Sequence, residues 1–279
     1  MLTVEMKQHH ITSGIEHSSK GNQLKWEQDG WWHKADQFGY ESLAEVVASH
    51  VLMKSTAGNV TIYEPVMIRY KEKEYRGCRS KNFRKEGEEL IPLERLIRTY
   101  TGMGLAKQLA RMPEVKDRIA FTEELVRTIT GLENFGKYLA MLMELDAFFL
   151  NEDRHTNNIS LLYNVEKKEY RLCPFYDMGL ALFADTVEEF PIEEDYFACK
   201  DKIKAKPFSR DFDEQLDAAT LLYGSHLKFH FKKNQIGKTL DEIIESENEI
   251  PLHYTKQELK RVEETLRYQA SKYPYLFQD

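Results

Sequence analysis

The feature that most narrows the folds open to this chain is the junction at Leu150. Residues 133–150 read as a helix that is apolar on most faces, and such a helix belongs in the middle of a core. Its most apolar part, residues 138–150, is too short to span a bilayer and carries Glu144 and Asp146. The helix stops at a polar octet, Asn151-Glu152-Asp153-Arg154-His155-Thr156-Asn157-Asn158. Two strand-like segments follow, residues 159–163 and 170–173, and then Tyr176-Asp177-Met178-Gly179. A carboxylate (Asp153), an amide (Asn158) and a second carboxylate (Asp177) therefore stand at the ends of well-patterned elements, with a hairpin-sized gap between them. Phosphoryl transfer from a nucleotide needs such a set. One Asp orients or deprotonates the attacking hydroxyl, while an Asn and a second Asp give Mg²⁺ hard oxygen ligands. Singly, these residues are ordinary loop, cap and turn formers. Their order and spacing together favour a kinase.

The remaining sequence bounds this reading. At 279 residues the chain makes one large domain or two lobes. Its 42% hydrophobic and 12% aromatic content is that of a folded globular protein. A net charge of -7 argues against direct nucleic-acid binding as the main task. Cys78, Cys173 and Cys199 form no C-x-x-C pair, which disfavours a zinc ribbon or disulfide framework and fits a reducing compartment. Residues 1–10 lack an apolar signal-peptide core. The expectation is a cytoplasmic protein without a membrane span, with delivery by a signal-independent route left open.

Along the chain, Ser18, Ser19, Lys20, Gly21, Asn22 and Gln23 form a small polar loop that can turn backbone N–H groups toward phosphate. Residues 24–27 and 31–34 flank Asp29-Gly30 as a β-hairpin. Lys34 ends the second strand, where it reaches phosphates or simply solvent. Residues 41–54 are an amphipathic helix with Glu41 and Glu45 on one side. A kinase pairs its strand Lys with a helix Glu, and periodicity leaves both acids open. Strands are expected at residues 60–70 and 75–78, and a polar, charged stretch at 79–89. From Leu90 helices are expected at 92–100, 104–111, 123–129, 133–150, 211–223, 239–247 and 255–272. The acidic stretch 185–195 is either a substrate or activation loop or a solvated surface. His226 and His230 are four apart, but no Glu completes H-E-x-x-H and the run alternates like a strand, so no metal site is read there.

The motif Asn151-x-Asp153-x-His155-x-x-Asn158 followed by Asp177 resembles the active site of the HipA-like kinases, bacterial Ser/Thr protein kinases that include toxins of toxin–antitoxin pairs. Asp153-Arg154-His155-x-x-Asn158 is also similar to phosphatidylinositol kinases. Residues 18–25 resemble the family's Ser/Gly-Gln-Lys phosphate loop. Glu45-Val46-Val47-Ala48-Ser49 looks like its ion-pair helix, which favours Glu45. The likeness runs from about residue 18 to 183 and is specific around 151–179. It points to the compact, stand-alone proteins of the CtkA type, without the extra N-terminal subdomain of HipA. Asp177-Met178-Gly179 departs toward the D-F-G of ordinary and lipid kinases.

The resemblance implies an α+β, two-lobed protein-kinase-like fold, with a small β-rich lobe at 1–83 and a larger helical lobe at 84–279. It implies ATP and Mg²⁺ as cofactors, a protein substrate and an antitoxin-type partner. Asp153 orients the hydroxyl and takes its proton, and His155 braces the catalytic loop. Asn158 and Asp177 hold the metal. Lys34, paired with Glu45, binds the α- and β-phosphates, and the loop at 18–22 covers them. Ser18 and Ser19 are autophosphorylation candidates. A lipid kinase would use the same residues but lacks support from a basic amphipathic helix. A small-molecule phosphotransferase of the aminoglycoside kind would carry H-G-D. A nucleotide-binding pseudokinase would lack a metal ligand or the Lys.

Overall fold

The computed structural model describes residues 2–7, 23–247 and 250–278. It is a mixed α/β structure with a β-rich N-terminal region and a helical C-terminal part. Strands β1 (Leu2–Glu5), β2 (Lys25–Gln28), β3 (Trp31–Ala35), β4 (Tyr63–Tyr70) and β5 (Lys73–Lys81) form a five-stranded sheet in the order β1-β4-β5-β3-β2. β1 runs parallel to β4, and the other pairs are antiparallel. The β2–β3 hairpin closes on Asp29 (φ 52°) and Gly30 (φ 76°), the paired positive φ of a tight hairpin turn.

Strand periodicity decides what faces the site. Lys34 lies beside Lys25 on β2 and Cys78 on β5, and Trp32 lies beside Glu27 and Ser80, all on one face of the sheet. Ala35 faces the other way, into a small cluster with Met6, Trp26, Val66, Ile68 and Tyr70. Helix α1 (Glu41–Met53) packs on the Lys34 face, almost wholly buried from Glu41 to Leu52.

A second, three-stranded sheet joins β6 (Glu88–Pro92) to β7 (Ser160–Asn164) and β8 (Glu169–Leu172). Around it lie α2 (Leu93–Thr101), α3 (Leu105–Leu109), α4 (Val115–Thr130), α5 (Phe135–Phe149), α6 (Tyr196–Lys202), α7 (Phe212–Tyr223), α8 (Ile236–Ser246), α9 (Ile250–His253) and α10 (Lys256–Lys272). The side chains of α5 are buried on nearly every face, as the apolar run required. Leu150 closes it in the left-handed conformation (φ 55°) and turns the chain into the polar octet.

Several elements differ from expectation, the short α9 (Ile250–His253) among them. The charged stretch before Leu90 ends in a strand, β6, whose partner β7 lies about 70 residues further along the chain. Helix α4 starts two turns earlier than residue 123; its first turns bury only Val115, Ile119 and Thr122, too thin an apolar stripe to stand out among Lys116, Asp117 and Arg118. Helix α6 was not expected at all. It is short, buries only Cys199, and is capped by the Asp195 side chain accepting from Ala198 N–H. Among the described residues no helix is long and apolar enough to cross a membrane.

Candidate active site

The octet after α5 is built around a buried ion pair that the sequence reading did not assign. Arg154 donates through Nε to Asp146 of α5, at 3.0 and 3.2 Å. Both side chains are fully inside, at 1% and 0% exposure. The same guanidinium donates to the Asn158 carbonyl (3.0 Å) and to the Tyr176 carbonyl (3.1 Å), so it fastens the octet to the residue preceding Asp177. Asn151 donates from Nδ2 to Asp146 (2.9 Å) and to the Asp177 carbonyl (3.3 Å). Thr156 donates to Glu94 of α2 (2.9 Å). The loop is thus held from α5, from α2 and from the 176–178 turn.

The turn itself is set against α1. Val60 bridges Phe175, the Thr61 N–H donates to the Phe175 carbonyl (2.9 Å), and the Phe175 N–H donates to the Asn59 carbonyl (2.8 Å). Asp177 follows with φ 64°, a conformation that costs a non-glycine residue energy and is concentrated at functional sites. Further on, an ideal Cβ on Gly39 would stand 2.1 Å from the Ala184 carbonyl oxygen, so only glycine lets the segment before α1 lie against residues 184–186.

Lys34 joins the two regions. Its ammonium donates to Glu45 Oε1 (2.5 Å) and to Asp177 Oδ1 (2.6 Å). Glu45 Oε2 accepts from the Met178 N–H (2.8 Å), so one carboxylate holds both the lysine and the turn. Glu41 is committed elsewhere: it accepts from the N–H groups of Gln37, Phe38 and Gly39 at 2.8–2.9 Å. Geometry thus separates the two acids that periodicity could not. Burial alone would raise the Asp177 carboxyl, but the ammoniums of Lys25 and Lys34 and the Arg154 guanidinium hold it well below the usual carboxylate range. Burial works against the Lys34 ammonium too, and Asp177 and Glu45 overcome it and keep it protonated.

Asp153 and Asn158 line the same cleft as Asp177, together with Gln23, Lys25, Phe38, Glu41, Gly179 and Leu180. Its volume is about 370 Å³ including the open mouth. Asn158 donates from Nδ2 to the Asp153 carbonyl (2.9 Å) and sits 3.4 Å from Asp153 Oδ2, which leaves its amide oxygen outside those bonds. His155 accepts from the Asn157 N–H at Nδ1 (3.2 Å), so the proton of the neutral ring sits on Nε2. That Nε2 is buried, has no hydrogen-bond partner among the described residues, and lies 3.9 Å from Asp153 Oδ2. Burial, which outweighs Asp153 and Asp177, keeps the imidazole below its ordinary value and hence neutral. Ser18, Ser19, Lys20, Gly21 and Asn22 lie outside the described residues.

The structure therefore brings together Lys34, Glu45, Asp153, His155, Asn158 and Asp177. It adds Lys25, the Asp146–Arg154 pair and Lys206, whose ammonium is 3.3 Å from Asp153 Oδ1. An acid inside the apolar run was a visible sign of the first pair; nothing local marked Lys206. His226 is turned to the Tyr223 carbonyl (2.7 Å), and among the described residues no group of three or more His, Cys, Asp or Glu is arranged to hold a metal.

No protein-family model and no curated protein matches the sequence. Solved structures do match. The Helicobacter pylori proinflammatory kinase CtkA aligns with a TM-score of 0.61 at 18% identity, over 97% of this chain and 95% of that one. The fold is kinase-like. The similarity extends over nearly the whole chain, well past the motif-bearing stretch at 151–179. Shewanella oneidensis HipA, in a complex with HipB and operator DNA, aligns with a TM-score of 0.46 at 11% identity, over 96% of this chain and 67% of that chain.

Proposed function

We propose that this protein is an ATP- and Mg²⁺-dependent kinase that transfers the γ-phosphate to Ser or Thr hydroxyls on protein, itself included. Residues 1–83 and 84–279 are its two lobes, with the cleft between them. The observation that carries the reading is the single ammonium of Lys34 bonded to both Glu45 and Asp177, the latter lining one cleft with Asp153 and Asn158. A kinase-like fold with that ion pair is built to hold nucleotide phosphates.

Lys34 and Lys25 supply positive charge for the α- and β-phosphates. Asp153 stands as the base for the acceptor hydroxyl, with His155 Nε2–H beside it as a neutral donor. The donor set fits Mg²⁺: an Asp177 carboxylate held ionised and the uncommitted amide oxygen of Asn158 are hard ligands, and Mg²⁺ takes few protein ligands when phosphates and water complete its shell. The metal, when bound, neutralises charge on the phosphates. An antitoxin-type partner follows from the family resemblance alone and is no part of this proposal.

The test is transfer of label from γ-³²P-ATP with Mg²⁺ by wild type and Asp153→Asn. The protein itself, a generic basic protein and phosphoinositide vesicles serve as acceptors. Label on protein that vanishes in the variant is the expected result. Asp177→Ala should lose the Mg²⁺-dependent part of nucleotide binding. Label on lipid alone would move the substrate class to lipid, and an active Asp153→Asn would remove the assigned base.

A further inference from the structure

Lys206 belongs to none of the sequence motifs, yet its ammonium is 3.3 Å from Asp153 Oδ1. The Lys206 side chain is 37% exposed and that of Asp153 8%, so the ammonium meets the carboxylate from its more solvated side. Its loop is tied down. The Ala205 N–H donates to the Arg210 carbonyl (3.0 Å). Arg118 of α4 donates to the carbonyls of Phe208 (2.6 Å), Met112 (2.9 Å) and Pro113 (3.3 Å). The position of Lys206 is therefore set by the fold.

Asp153 divides its oxygens. Oδ2 faces Asn158 Nδ2 at 3.4 Å and His155 Nε2 at 3.9 Å, while Oδ1 faces Lys206. Two other ammoniums of the cleft stand at Asp177, Lys34 at 2.6 Å and Lys25 at 3.9 Å. Cations thus mark both ends. On the kinase reading, a phosphoryl group passes from the Asp177 side, held by Lys25 and Lys34, to the Asp153 side, held by Lys206.

We propose that Lys206 is a catalytic residue that binds the phosphoryl group in transit on its acceptor side, an inference that rests on the kinase reading above. The acceptor oxygen bonds to the γ-phosphorus as the bond from that phosphorus to the bridging oxygen breaks, leaving its electron pair on ADP. The hydroxyl proton passes to Asp153. Once Asp153 is neutral it no longer holds the ammonium, and Lys206 turns to the phosphoryl oxygens. A cation placed where charge develops contributes most in the transition state.

Lys206→Met and Lys206→Arg in the full chain test this, with γ-³²P-ATP and the basic protein as acceptor. Lys206→Met should lower kcat by about 10²–10³-fold. Its affinity for ATP, read by fluorescence titration, and its Tm should stay at wild-type values. Lys206→Arg should recover part of the rate. Binding of ADP with aluminium fluoride should weaken in Lys206→Met while ADP alone binds as before. If Lys206 acted only by tuning Asp153, the acid limb of the pH–rate profile would move and the plateau would stand; that result overturns the proposal. A Lys206→Met protein as fast as wild type overturns it too, with the kinase reading intact. A wild type that labels no acceptor overturns both.

Discussion

Removing Arg154 should cost this protein more than removing any one of its surface charges. The guanidinium is 1% exposed and its partner Asp146 is 0% exposed. Arg154→Met deletes the cation, leaves a buried carboxylate still bonded to Asn151 but without its countercharge, and takes the donor from the carbonyls of Asn158 and Tyr176. Breaking a buried pair from one side costs about 3–5 kcal/mol. Each buried carbonyl left without its donor adds roughly 1–3 kcal/mol, offset in part by the desolvation that Arg154 no longer suffers. A net loss near 4 kcal/mol, at about 2–4 °C per kcal/mol for a chain of this size, lowers Tm by roughly 8–16 °C. The companion variant Asp146→Leu/Arg154→Met separates charge from architecture. An apolar pair of similar volume is often neutral or stabilising, so most of the lost Tm should return. Label transfer should not return, because the Arg154 bond that fastens the octet to the Tyr176 carbonyl is still missing and the 3.3 Å bond from Asn151 to the Asp177 carbonyl is left to hold the turn without it. Differential scanning calorimetry and the label-transfer assay read the two effects. A single variant that melts with wild type, or a double variant that regains both stability and transfer, would refute the idea that this pair is the buttress of the site.

Two more expectations follow from the acids around α1. Glu45→Gln removes the carboxylate shared by Lys34 and Met178 N–H and should cut turnover on the order of 10²-fold. Glu41→Gln should cost about 1–3 kcal/mol of stability, through the weakened bonds to the N–H groups of residues 37–39, and leave turnover per folded molecule near wild type; steady-state kinetics paired with melting curves tells them apart. Asp36 supplies a pH dependence. Burial and then Glu41 raise its carboxyl from 3.8 to about 7, against Ser42 and Arg76. The folded state therefore binds a proton more tightly than the unfolded chain, and the stability this contributes is complete below 3.8 and lost as pH rises through about 7. Melting temperature followed from pH 5 to 8 should fall in wild type and be flatter in Asp36→Asn; an unchanged slope would sink the assignment.

What could be read from the chain and what could not divides along the range of the interactions. The hairpin at Asp29-Gly30, the helix bearing Glu41 and Glu45, and the buried helix before Asn151 were legible, because each is fixed by spacing within a dozen or so residues. The first turns of α4 were not, since its buried positions there, Val115, Ile119 and Thr122, make too narrow a stripe among charged neighbours. Strand β6 draws its hydrogen bonds from β7, far along the chain, and its own residues, Glu88 to Pro92, alternate weakly. The candidate site divides in the same way. Asp153, Asn158 and Asp177 could be singled out as candidates because two carboxylates and an amide cluster at the ends of regular elements, and the structure sets all three in one cleft. Spacing alone left Glu41 and Glu45 open and the family resemblance favoured Glu45; the physical reason is that the 37–39 backbone wraps the start of α1, consuming Glu41 and leaving Glu45 for Lys34. Lys206 illustrates the limit of local pattern. Its position depends on Arg118, almost ninety residues earlier, gripping the carbonyl of Phe208. A lysine in a loop carries no mark of that in its neighbours, and only the folded chain sets its ammonium on the Asp153 carboxylate.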